Sequence, residues 1–236
     1  MLTLKLFGLL KTLARNQAEV HVALSGGRTV GDVREWIGLL DKDYPEIAEL
    51  VHQKKVVIAV NHEVAHPDTV IVEGDEVALL PPFAGGAPSE SQAESDAMFA
   101  RVQREDFSID AELARVRTRS SRIGGMAIFL GTARDRSQGR DVSRITFEYY
   151  DGMAQKTLRD IRERALNDFN VIEVLLVHRY GDIQVGENIV LVIAAAEHRA
   201  EAFRACQWSI NELKRITPIW KREYTPDGEV WVEAHP

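Results

Sequence analysis

LLPPFAGG, residues 79 to 86, reads as the end of a folded unit although 150 residues follow it in a chain of 236. An apolar run stops at Pro81-Pro82, and Gly85-Gly86 then leave a backbone without side chains. Such a tail can thread a narrow tunnel, because the missing Cβ lets the backbone pass close to another surface. Its reactive atom would be the carboxylate of Gly86, which is tied here in a peptide bond to Ala87.

Upstream, Leu2, Leu4 and Leu6 alternate with polar residues as a half-buried strand does. A helix-like stretch to Arg15, a strand over 19–24 and a Ser25-Gly26-Gly27 turn follow. Thr29 is placed to cap a helix through Leu40, with Val30, Val33, Ile37 and Leu40 on one face. Strands over 56–60 and 76–80, with turns at Asn61-His62-Glu63 and Glu73-Gly74-Asp75, complete a β-β-α-β-β order. That order predicts a small sheet wrapped on one helix.

Downstream, APSESQAESDA (87–97) has almost no apolar content and reads as a flexible linker. A coil of ten to twenty such residues spans roughly 16 to 27 Å. The next unit is expected from about Phe107. Its pattern is a helix over 110–119, a strand over 124–131, a polar loop TARDRSQG (132–139), a strand over 144–150 and a helix over 152–169. Strands over 171–178 and 188–196, a helix over 199–216 and an extended end follow. The fold class is therefore α+β, divided as 1–86, linker 87–106 and 107–236.

Composition narrows the function classes. The hydrophobic share of 45% and charged share of 28% suit a globular protein. No apolar run approaches a membrane span, and the opening residues lack a signal-peptide pattern, so a cytoplasmic protein is expected. The net charge of −7 divides as 8 basic against 12 acidic residues before the Gly86–Ala87 bond, −4, and 21 against 24 after it, −3. Nucleic-acid binding is disfavoured, and any anion site must come from a local basic cluster. The single cysteine, Cys206, rules out an internal disulfide and suits a buried inert thiol.

The second unit carries four basic islands: Arg134 with Arg136, His198-Arg199, Lys214-Arg215 and Lys221-Arg222. His198-Arg199 opens a helix, where free N–H groups and the dipole suit an anion. Lys221 lies between Trp220 and Tyr224, and desolvation there would make it a usable nucleophile or base. Each island also reads as solvated surface charge, Lys214 and Arg215 as complements of a helix C-terminus, and Lys221 as a lysine lying along an aromatic. His62 and His66 have no evident third ligand and read as surface histidines. Glu148, Tyr149 and Tyr150 read as strand residues facing the core or a partner.

Taken together, the two halves resemble the small and large subunits of molybdopterin synthase joined in one chain. The first resembles the ubiquitin-like small subunit through its PP-x-x-GG end, Pro81 to Gly86. The second resembles the large subunit through FLGTAR (129–134), EYYDGM (148–153), HRYGDI (178–183), EHRAEAF (197–203), LKRITPIWKRE (213–223) and WVEA (231–234). The resemblance implies a β-grasp unit, a flexible linker and an α/β-hammerhead-type unit.

It implies a sulfur carrier whose Gly86 thiocarboxylate enters the second unit and delivers sulfur, in two transfers, to cyclic pyranopterin monophosphate. Arg134, His198 and Arg199 would bind the substrate's anion. Lys214 and Lys221 would hold and activate it, one of them as acid, base or transient covalent partner, with Arg222 and Glu223 completing the pocket. No metal or organic cofactor is implied. The implied partners are a second copy of the chain, a MoeB-like adenylating enzyme, a sulfur donor and a protease that cuts after Gly86. Two other readings stay open: a carrier precursor fused to a non-enzymatic pterin-binding module, and an uncleaved fusion whose second half uses a separate carrier.

Overall fold

The computed structural model describes residues 2–22, 30–32, 40, 43–53, 55–66, 69–72, 74–81 and 98–232. The chain divides into two compact units, Met1–Ala87 and Pro88–Pro236. The Gly85-Gly86 end, the linker residues 87–97 and the Ser25-Gly26-Gly27 turn lie outside the described residues.

In the first unit β1 (Leu2–Leu6) leads through Gly8, at φ 53°, to the short helix α1 (Leu9–Leu13), and β2 (Glu19–Val22) returns antiparallel to β1. Then come β3 (Val30–Asp32), α2 (Pro45–His52), β4 (Val57–Val60), β5 (Glu63–Val64), β6 (Val70–Val72) and β7 (Val77–Leu80). The main sheet has the order β2-β1-β7-β4-β5, with β1 and β7 parallel at its centre. First and last strands side by side, flanked by antiparallel neighbours, are the β-grasp arrangement. Leu4, Leu6, Ile47, Val51, Val77 and Leu79 meet in its core.

The short strands β5 and β6 were not predicted, and two further elements differ from expectation. The helix predicted from Thr29 opens as strand, Val30–Asp32 pairing with Val70–Val72, while 33–39 lie outside the described residues. A β-branched valine and a glycine are poor helix starters, and a long-range partner strand decides between the two states. The helix Pro45–His52 was not anticipated. Pro45 sits in its first turn, where no N–H is needed, and Ile47, Ala48 and Val51 form its buried face.

The second unit begins with β8 (Ala100–Gln103), inside the predicted linker; it pairs in parallel with the strand Glu173–Arg179. The elements α3 (Ile109–Arg117), β9 (Gly125–Thr132), β10 (Arg136–Ser137), β11 (Arg140–Asp141), β12 (Arg144–Tyr149) and α4 (Met153–Asp168) follow. The chain continues through β13 (Glu173–Arg179), β14 (Gly181–Gln184), β15 (Asn188–Ala196), α5 (Arg199–Ile216), β16 (Ile219–Thr225) and β17 (Gly228–Val232).

One sheet has the order β8-β13-β15-β9 and the other β14-β12-β16-β17. Helices α4 and α5 cover one face of the first sheet through Leu158, Ile161, Cys206 and Leu213. Helix α3 covers part of the other through Val116. Covering on both sides explains why β13 and β15 are buried almost throughout. A buried carboxylate pins this layer: Glu173 accepts from Arg162 Nε and Nη2 at 2.8 and 2.9 Å and from Arg119 Nε at 2.8 Å. Among the described residues no helix is long and apolar enough to cross a membrane.

Candidate active site

Strand β16 carries the densest chemistry. Its register against β12 sets Lys221 opposite Phe147 and Glu223 opposite Ile145. Residues two apart share a face of a strand, so Lys221 and Glu223 both project toward the cluster of Ala133, Val142, Ile145, Phe147 and Ile183. There Lys221 Nζ donates to Glu223 Oε1 at 2.5 Å. The Glu223 side chain is 1% exposed and that of Lys221 29%. Glu223 Oε2 is buried with no hydrogen-bond partner among the described residues. A buried carboxylate that lacks a partner for one oxygen is costly unless a ligand or water supplies one.

Arg222 necessarily takes the opposite face. It donates to Glu229 Oε2 at 2.8 Å and lies over the rings of Tyr224 and Trp231, so it braces β17 on the far side from Lys221. Lys214, exposed in the last turn of α5, holds its ammonium 5.8 Å from the Phe129 ring centroid on β9.

Arg134 is exposed just past the end of β9 and follows Ala133, which is buried in the same cluster that Lys221 and Glu223 face. His198 and Arg199, also exposed, open α5 at the other end of the sheet, where Gly125 pairs with Ala196. Seven strand steps from Gly125 to Thr132 separate the two ends by roughly 23 Å. Within one chain Arg134 therefore lies at the opposite end of β9 from His198 and Arg199. Among the described residues the side chains of Arg134, His198 and Arg199 make no hydrogen bond or ion pair.

Other candidates resolve plainly. Burial pushes the Cys206 thiol up to about 11, which suits an inert core thiol. His62 Nδ1 lies 3.7 Å from Glu76 Oε1, and no metal-binding cluster occurs among the described residues. Tyr149 stacks on Tyr180 at 4.4 Å, and burial, with Asp151 and Tyr180 beside it, pushes its hydroxyl up to about 12. Two residues received no role from the sequence, Arg179 and Glu187. For Arg179 the available signal was a charged residue at the end of the strand EVLLVHR.

Fold and site define a two-unit protein: a β-grasp unit, joined to an α+β unit in which a half-buried lysine is paired with a buried glutamate. Residues 4–86 match the ThiS family model and residues 102–216 the MoaE protein model. The chain is 47% identical over 130 residues to the molybdopterin synthase catalytic subunit of Pyrococcus abyssi, covering 55% of this chain and 86% of that one. It is 40% identical over 111 residues to that of Escherichia coli, covering 47% and 74%. The structure of molybdopterin synthase from Staphylococcus aureus superposes with a TM-score of 0.53 at 30% identity, over 58% of this chain and 97% of that one. The chain belongs to the molybdopterin synthase catalytic subunit family, with a ThiS-family unit fused ahead of it.

Proposed function

We propose that the protein is a self-contained molybdopterin synthase. A thiocarboxylate on Gly86 delivers sulfur, in two rounds, to cyclic pyranopterin monophosphate bound in the second unit. The observation that carries this reading is the pairing of Lys221 with buried Glu223 in a unit of the catalytic-subunit family, fused to a ThiS-family unit whose match ends at Gly86. The carboxylate orients the ammonium, so that Lys221 meets the substrate as acid, base or transient covalent partner. Lys214 supplies a second cation, and Arg134 a contact for the anionic phosphate. A MoeB-like adenylating enzyme and a sulfur donor load Gly86.

Separation of Arg134 from His198 and Arg199 supports a site shared between two copies. Strand β9 ends its sheet among the described strands and exposes Ile128 and Leu130 beside that edge, where the nine-residue α3 does not reach. A second copy paired antiparallel along this edge sets the Arg134 end of one chain against the His198–Arg199 end of the other.

Adenylation needs a free carboxylate, so the chain is cut after Gly86. Intact-mass measurement on protein from its native host should show a fragment ending at Gly86, and activity should track that fragment. An active preparation holding only full-length chain defeats the cleavage step. A non-enzymatic binding module would tolerate both Lys214→Ala and Lys221→Ala, whereas the proposed enzyme loses most activity in at least one.

A further inference from the structure

We infer that Arg179 is a positioning residue for Arg134, acting through the turn at residues 184–188; this rests on the assignment of Arg134 to the substrate anion. Arg179 ends β13 and is 7% exposed. Its Nη1 donates to Asn188 O at 2.9 Å and to Glu187 Oε2 at 3.3 Å, and its Nε to Arg104 O at 3.3 Å. The same Glu187 oxygen accepts from Gln184 N at 3.2 Å, and Asn188 Nδ2 reaches Asp106 Oδ1 at 3.0 Å. One buried fork thus ties the turn to the arm of residues 104–106.

The turn in its own right grips Ala133. Glu187 O accepts from Ala133 N at 2.9 Å, and Gly186 N donates to Ala133 O at 2.8 Å. Both backbone groups of the residue before Arg134 are therefore held by a turn that Arg179 holds. The register between β9 and β15 shifts at the same place, between Asn188 and Val190. A bulge re-aims the chain beyond it, so without the clamp the direction of Arg134 is not set by regular pairing. A planar five-donor guanidinium can serve these acceptors together, and an ammonium cannot reproduce that fork.

Arg179→Lys and Glu187→Gln test this in the full chain, each alone and combined with Arg134→Ala. Hydrogen exchange at the Ala133 and Gly186 amides should quicken in both variants while the β13 and β15 amides stay protected. KM for cyclic pyranopterin monophosphate should rise about tenfold to a hundredfold, with kcat changed far less, and the rise should vanish in the Arg134→Ala background. Unchanged exchange at the two amides, or effects additive with Arg134→Ala, overturns the inference. Quickened exchange with an unaltered KM in Arg134→Ala itself would instead remove Arg134 from the substrate site.

Discussion

Lys221 and Glu223 stand two residues apart on one strand with Nζ 2.5 Å from Oε1, the carboxylate wholly inside the protein and the lysine half-buried. This polarity suits the proposed roles, in which the buried carboxylate holds and the more accessible lysine meets the ligand. Lys221→Ala should lower kcat about 10² to 10⁴-fold, the range for a lost acid–base group, with little change in the thermal midpoint. Glu223→Gln keeps the shape but loses the charge and should fall between that variant and the native protein. A Lys221→Ala enzyme with native turnover would remove Lys221 from the chemistry.

Sharing of the site between copies predicts complementation. Arg134→Ala and Arg199→Ala should each be weakly active alone, and mixing them under conditions that exchange subunits should restore activity. In a mixed dimer one of the two sites regains both arginines. Ile128→Glu should weaken the dimer, read by analytical ultracentrifugation. Absence of any recovery in mixed, verified heterodimers would place both arginines in one chain's site or outside it.

Buried His178 makes the second unit sensitive to acid. Its Nδ1 donates to Arg179 O at 2.7 Å and its ring packs edge-on to Phe147 at 5.1 Å. Burial pushes its pKa down from 6.5 to about 4. The unfolded chain therefore takes up a proton between these values that the folded one does not, so stability is full above pH 6.5 and falls as the pH drops toward 4. The loss approaches about 3 kcal/mol by pH 4. Urea unfolding at pH 7 and pH 4.5 should show a smaller drop for His178→Gln than for the native protein. Equal drops would refute the assignment.

Glu173 is the stability keystone of the first sheet of this unit. Glu173→Gln leaves buried Arg162 without its carboxylate and should cost about 3 to 5 kcal/mol. Denaturant titration checks it, and a cost under about 1 kcal/mol would mean that the arginines find other partners.

Much of this protein was legible in order along the chain. The runs EVLLVHR and NIVLVIAAA are long enough to declare buried strands, and the periodic stretches over 153–168 and 199–216 to declare helices, because these signals are local and strong. Short elements were not legible. Ala100–Gln103 has two apolar residues, and only its distant partner strand makes it β; Val30–Asp32 likewise takes its state from Val70–Val72.

The sequence alone determined the two units, the family motifs and which side chains could carry charge or donate protons. It could not say which of those side chains meet. Pleating sends Lys221 and Arg222 to opposite faces, strand length holds Arg134 and His198 apart, and a fork of long-range hydrogen bonds aims the 133–134 corner. Those relations depend on pairing register and burial between residues far apart in the chain. No local pattern encodes them, so they exist only once the sheet has closed.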